Sequence, residues 1–187
     1  MFFSSIFELI RNINSIKATL NAFASFDITC DRFNKITSTQ ETKNSLEMSH
    51  KVVTHWKGNL QFDSDNPSGK TLLMDTSPEN GGYNSGLAPK AMMLSSLAGC
   101  SGLDVVSILK KMKVSFSDFR IDTYGELTDE HPKYYHTVSV EYHLYGDKLE
   151  EEKIKKAVDL SIEKYCGVME MFRGFSDVKT SIHYHNV

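Results

Sequence analysis

Pro89-Lys90-Ala91-Met92-Met93-Leu94-Ser95-Ser96-Leu97-Ala98-Gly99-Cys100-Ser101-Gly102-Leu103-Asp104-Val105-Val106-Ser107-Ile108-Leu109 is the most informative stretch of this 187-residue chain. Pro89 suits a first helical turn, where a missing N–H costs nothing, and the apolar run behind it predicts a helix to about Lys113. The run comes near membrane-span length, yet it carries Ser95, Ser96, Cys100, Ser101, Asp104 and Ser107. That polarity predicts a buried helix and no membrane partner. A glycine inside a helix costs about 1 kcal/mol relative to alanine, so Gly99 and Gly102 around Cys100 call for compensation. Either the small residues let a partner backbone or a substrate approach the sulfur, or they merely allow close helix packing around an inert thiol. On these residues alone the two readings weigh the same.

Upstream of this helix, Lys51–Phe62 is rich in β-formers and Asp63–Gly69 reads as a turn-rich connector, which predicts a hairpin to Lys70–Asp75. Gly81-Gly82 and Gly86 punctuate the loop that follows. Gly81-Gly82 lacks the Lys-Ser/Thr and the strand context of a phosphate-cradling loop. Downstream, Phe119–Leu127 and Tyr134–Tyr145 read as strands joined by a turn at Asp129-Glu130-His131-Pro132, with Val138, Val140, Tyr142 and Leu144 on one face. Leu149–Tyr165 has helical periodicity, a short helical turn follows Gly167 to Phe172, and Val178–Tyr184 alternates as a last strand. Trp56, Tyr134, Tyr135 and Tyr142 read as sheet packing. Neighbouring strands separated by two helices predict an α+β fold with mainly antiparallel sheets.

The chain balances 21 basic against 24 acidic residues, for a formal net charge of −3, which argues against nucleic acid as a partner. Three cysteines without a CxxC pair fit free thiols in a reducing cytosol, and no secretion signal is visible near Met1. Residues 1–47 differ in texture, mixing Asn, Ser, Thr and Ile. They read as an N-terminal extension, dispensable or disordered, with a short amphipathic helix on Ile6, Leu9, Ile10, Ile13, Ile16 and Leu20, and a boundary near Met48. Cys30 lies in that extension and matches no motif.

Leu97-Ala98-Gly99-Cys100, followed by Asp104 and Val105-Val106-Ser107-Ile108-Leu109-Lys110-Lys111-Met112, is similar to the central helix of the OsmC/Ohr family. Leu160-Ser161-Ile162-Glu163-Lys164-Tyr165-Cys166 resembles the second cysteine helix of that family, and the resemblance spans roughly residues 50–187. It implies an intertwined homodimer with two curved, mainly antiparallel sheets around paired central helices and active sites at the subunit interface. It implies also a cytoplasmic thiol-dependent peroxidase of oxidative-stress defence, needing neither cofactor nor metal. Cys100 is the implied peroxidatic residue, Cys166 the resolving one, and a small dithiol or protein thiol the reductant.

A thiolate nucleophile needs a positive neighbour. Members with well-defined peroxidase sites use an arginine from the N-terminal strands and a glutamate after the proline that opens the central helix. Here Lys90 follows Pro89 and no arginine occurs between Arg32 and Arg120, leaving Lys90 or Lys57 to supply charge. This departure supports an alternative: a weakly catalytic or non-catalytic member that binds a small ligand or senses oxidants through its cysteines. Asp104, one helical turn beyond Cys100, is expected to hydrogen-bond backbone or serine, or to make a polar contact across the dimer. His183 and His185, with His136 or His143, offer ligand types for a metal, but histidines two apart near a C-terminus are common by chance, so no metal is expected there.

Overall fold

The computed structural model describes residues 49–187; the extension, its helix, Cys30 and the boundary near Met48 lie outside the described residues. Two compact units divide the chain. One comprises Thr54–Asp65 and Lys70–Val187 and carries every element named below. In the other, the Gly69 N–H donates to the Asn66 carbonyl at 2.8 Å, closing a turn.

Strands β1 (Thr54–Gly58), β2 (Gln61–Asp65) and β3 (Thr71–Met74) form an antiparallel sheet in that order. The sequence reading is corrected here, because the β-forming run from Lys51 is not one strand. Gly58 at φ 106° and Asn59 at φ 46° reverse the chain, and Asp63–Asp65, expected as connector, belong to β2. Gly-Asn is a pair that tolerates the left-handed backbone a tight hairpin demands. The Asn59 amide also donates to the Gly81 carbonyl at 2.9 Å, tying this turn to the later loop.

That loop is organised by Asp75, which is buried. Its carboxylate accepts from the N–H groups of Thr76 (2.8 Å), Tyr83 (3.1 Å) and Ser85 (3.1 Å) and from the Ser85 hydroxyl (2.8 Å). Gly81 takes φ 85° after a short 3₁₀ turn, Pro78–Asn80, and a Cβ at Gly82 would lie 2.1 Å from the Thr76 carbonyl oxygen. The two glycines thus serve a compact carboxylate-centred loop.

Helix α1 (Pro89–Lys111) follows, then the antiparallel pair β4 (Asp118–Leu127) and β5 (Tyr135–Tyr145). Helix α2 (Glu151–Leu160) runs into a π-helical turn (Ser161–Tyr165), α3 (Gly167–Arg173) and β6 (Asp177–His185). Because α2 and α3 carry the chain back along the sheet, β6 lies parallel to β5, while the other three strand pairings are antiparallel, in keeping with the expectation of mainly antiparallel sheets. Val138, Val140, Tyr142 and Leu144 of β5 face the core, where they meet Leu97, Val105 and Leu109 of α1, Ile154, Ala157 and Val158 of α2, and Met169 and Phe172 of α3. The fold is therefore α+β, with two three-stranded sheets and three α-helices among the described residues.

Burial alone raises a carboxyl pKa, but the hydrogen bonds from Ser85, Thr76 and Tyr83 outweigh it and hold Asp75 well below the usual carboxylate range. A lowered folded-state pKa gives stability that is present above the unfolded value of about 3.9 and lost as pH falls through the folded one. Asp75→Asn replaces one acceptor by a donor, so the melting temperature at pH 7 is expected to drop and the acid limb of the stability curve to flatten. Equal melting temperatures for the two proteins at pH 7 would refute this account of the loop.

Candidate functional site

Helix α1 buries Leu97, Ser101, Val105 and Leu109, an i, i+4 stripe that fixes its rotation against the core. Cys100, adjacent to the stripe, is half-buried, whereas Cys166 is buried; neither forms a disulfide among the described residues. The Sγ atoms of the two cysteines and a carboxylate oxygen of Asp104 all lie within 4.8 Å of one another. Cys100 and Cys166 are thus brought together from segments 66 residues apart in sequence, as 166 − 100 shows.

The π-helical turn determines where Cys166 sits. The Cys166 N–H donates to the Ser161 carbonyl at 2.9 Å, an i to i+5 bond that widens the turn, after which the chain goes extended at Cys166. Cys166 then caps α3, its Sγ accepting the Met169 N–H at 3.3 Å. Burial pushes the Cys166 thiol up to about 11; the Met169 N–H opposes this, and the Cys100 sulfur adds to it. Cys166 therefore stays a protonated thiol at neutral pH.

Behind the sulfurs lies a buried hydroxyl chain that the sequence reading missed. Ser101 Oγ is 2.6 Å from the Tyr142 hydroxyl and 2.9 Å from Ser161 Oγ, and the Ser161 hydroxyl donates to the Ser101 carbonyl at 3.2 Å. Each hydroxyl has one proton, so the directions follow: with the Ser161 proton on the carbonyl, Ser101 donates to Ser161 and Tyr142 donates to Ser101. Burial raises the Tyr142 pKa to about 12, partly offset by the Ser101 hydrogen bond, which keeps the phenol a donor. The sequence reads Tyr142 as sheet packing with an amphipathic edge at most, and its hydroxyl proves to be part of this chain of hydroxyls. The serines stand next to Cys100 and at the start of the π-turn, and that adjacency was the only available signal.

Asp104 Oδ2 is buried with no hydrogen-bond partner among the described residues, and a carboxylate oxygen of this side chain lies within 4.8 Å of both sulfurs. Lys57 is paired with Asp63 at 3.2 Å, and exposed Lys90 is ten residues along α1, about 15 Å of rise. The glycines part company too. A Cβ at Gly102 would meet the Ile121 side chain at 3.0 Å, a packing contact with β4, whereas one at Gly99 meets nothing within 4 Å. A groove of about 440 Å³ lined by Leu94, Ala98, Ile121 and Tyr124 among others runs along the N-terminal half of α1, with neither cysteine in its lining.

Among the described residues, two sets of side chains have metal-ligand chemistry: Cys100, Asp104 and Cys166, and a separate group of Glu141, His143 and His183. His185 lies beside the second set, its Nε2 3.0 Å from His143 Nδ1. His136 stands apart from it, with its ring against the Thr137 hydroxyl at 2.9 Å.

Residues 82–181 match the family model described as OsmC-like protein. Protein YhfA of Escherichia coli (strain K12) is 34% identical over 116 residues, covering 62% of this chain and 84% of that one. Among solved structures, a hypothetical protein from Aquifex aeolicus VF5 is similar at 31% identity and TM-score 0.65, covering 74% of this chain and 98% of that one. An organic hydroperoxide resistance protein, OsmC, from Legionella pneumophila shares the fold at TM-score 0.56 and 19% identity, over 72% of this chain and 96% of that one.

The buried hydroxyl chain gives a graded expectation. Ser161→Ala strips the Ser101 hydroxyl of its acceptor and the Ser101 carbonyl of a donor, and is expected to cost about 1–3 kcal/mol. Tyr142→Phe leaves Ser101 still donating and is expected to cost about 1 kcal/mol. Urea unfolding measures both, and a Tyr142→Phe loss larger than that of Ser161→Ala would contradict the donor order derived above.

Proposed function

Because this chain belongs to the OsmC-like protein family, we propose that it reduces hydroperoxides with the Cys100–Cys166 pair, working as a homodimer in the reducing cytoplasm. The observation that carries this reading is the approach of the two free sulfurs to within 4.8 Å on separate segments. A disulfide bond is about 2.05 Å, so closure asks for sulfur movements within the reach of side-chain rotation.

Exposure and protonation divide the roles. Cys100 is the more accessible and attacks; Cys166, held as a thiol by burial, resolves. The Cys100 thiolate attacks the terminal peroxide oxygen, forming S–O as O–O breaks, and the departing alkoxide takes a proton to leave as alcohol. Sulfur is oxidised by two electrons, to the sulfenic acid, and the peroxide is reduced. Cys166 sulfur then attacks Cys100 sulfur, its proton passing directly or by way of the Asp104 carboxylate to the departing hydroxyl, which leaves as water. A dithiol restores both thiols by exchange, becoming a disulfide itself.

The dimer is supported by apolar surface that the single chain leaves open. On α1, Leu103 is 77% and Met93 43% exposed, and on β1 Trp56 is 67% exposed. By length and composition alone, α1 would pass for a membrane span, and its buried stripe covers a minority of its surface. A second copy laid on α1 would cover Leu103 and border the opening to Cys100 at Gly99, and the positive charge that the thiolate needs would come from that copy.

Two measurements test this reading. With one equivalent of cumene hydroperoxide, peptide mapping is expected to find a Cys100–Cys166 disulfide, and Cys100→Ser to lower peroxide consumption with a small dithiol at least a hundredfold. Unchanged consumption would overturn the peroxidase reading and favour the ligand-binding or oxidant-sensing alternative. Leu103→Asp is expected to halve the mass measured by light scattering; an unchanged mass would remove α1 from the interface.

A further inference from the structure

The alternation of β5 that sends Val138, Val140, Tyr142 and Leu144 into the core sends Glu141, His143 and Tyr145 to the opposite face. Register assembles their neighbours: Arg120, His143 and His183 lie abreast, Asp122, Glu141 and Ser181 form the next row, and Tyr145 pairs His185. One polar row thus crosses all three strands, far from the role of the cysteines.

His143 is 8% exposed at the centre of this face. Its Nδ1 is 3.0 Å from His185 Nε2, while its own Nε2 is buried without a hydrogen-bond partner among the described residues. Two carboxylates face that nitrogen, Asp122 Oδ2 at 3.4 Å and Glu141 Oε2 at 3.6 Å. Arg120 engages Asp122 at 2.9 Å, which leaves Glu141 as the freer charge. If His143 donates its Nδ1–H to His185, its Nε2 lone pair points at two anions, an arrangement that a cation between them would turn from repulsive to attractive. Outer hydrogen bonds of this kind fix the tautomer of metal-bound histidines.

We propose that Glu141, His143 and His183 bind a divalent transition-metal ion of the zinc class on the outer face of the C-terminal sheet. Metal–ligand bonds of about 2.0–2.2 Å in tetrahedral geometry place ligand atoms about 3.3–3.6 Å apart. Here Glu141 Oε2 is 3.6 Å from His143 Nε2 and 4.0 Å from His183 Nε2. The donor set is a borderline one, two imidazoles and a carboxylate, which suits zinc, cobalt, nickel or copper better than calcium or magnesium. Binding requires one adjustment. The His143 and His183 rings are stacked, 4.6 Å between centroids at 14°, and His183 Nε2 lies 3.0 Å from Ser181 Oγ, so the exposed His183 ring must turn out of the stack to share an ion. Imidazole χ2 is a soft torsion, and His183 is the ligand least enclosed. The ion would clamp β6, whose outer edge is unpaired among the described residues, to β5.

The test uses the full-length, tag-free protein and cobalt(II) as the probe, because its spectrum separates this set from the cysteine set. Expected is one cobalt per chain with d–d absorption and no near-ultraviolet thiolate-to-cobalt band, displaced by zinc, and retained when both Cys100 and Cys166 are serine. His183→Gln, at an exposed position, is expected to weaken binding at least tenfold with unchanged circular dichroism. Nitrogen-15 spectra of the His143 ring are expected to show the Nδ1–H tautomer and a shift of Nε2 on adding zinc. The proposal is overturned if cobalt binding is absent, if its affinity is unchanged by His183→Gln, if it vanishes with the cysteines, or if His143 is doubly protonated at pH 7 and unmoved by zinc.

Discussion

The contact between Ser101, Ser161 and Tyr142 is the constraint on which the rest of the chemistry depends. It joins α1, the π-turn and β5 through three hydroxyls that water cannot reach, and each proton has one destination. A buried polar group without a partner costs about 1–3 kcal/mol, so sliding α1 by a turn or closing the π-turn to an α-turn would orphan at least one of them. Apolar packing holds α1 against the sheet, but the hydroxyl chain selects one rotation and one register. Cys100 precedes Ser101 and Cys166 ends the turn that Ser161 begins, so fixing the serines fixes the sulfurs.

The same strand that supplies Tyr142 separates two chemistries. Successive side chains of β5 alternate faces, with the hydroxyl chain and the sulfurs on the core side and the histidine–carboxylate row on the other. Tyr142 and His143 are neighbours in sequence and lie back to back across the sheet. Chemistry at the thiols and occupancy at the histidines can therefore differ in ligand while sharing a scaffold.

What could be read from the sequence was whatever is written in period or in a local motif. The long helix from Pro89, the strands of the C-terminal sheet and both cysteine segments fall where their patterns place them, within a residue or two for the strands. The first hairpin was misread because β-propensity in Val52–Phe62 continued through Gly58-Asn59, a reversal signalled by residue type but outweighed by its neighbours. The parallel placement of β6 depends on the length and path of α2, the π-turn and α3, and no residue spells that out. The π-turn itself sits inside helical periodicity that looks continuous to Tyr165. The hydroxyl chain was missed for a similar reason: serines beside a cysteine read as small residues, and only tertiary placement gives them a common partner. The pairing of His143 with His183 needed the β5–β6 register, which a sequence does not print.

The two glycines flanking Cys100 show how far a single chain accounts for its own sequence. Gly102 is explained within it, since a methyl there would press on Ile121 of β4 at 3.0 Å. Gly99 has open space around it, so its helix-weakening cost of about 1 kcal/mol has no return from intrachain packing. Leu103, one helical turn beyond Gly99, is 77% exposed and has no return either. A glycine and an apolar side chain one turn apart, both unaccounted for by intrachain packing and both next to the more exposed thiol, define a face shaped for something not in this chain. A second copy of α1 can lie close at the glycine and cover the leucine, whereas a small hydroperoxide needs only the opening at Gly99. The leucine is therefore the residue that argues for protein on this face, and the glycine the one that sets how closely that protein, or a substrate beside it, approaches Cys100.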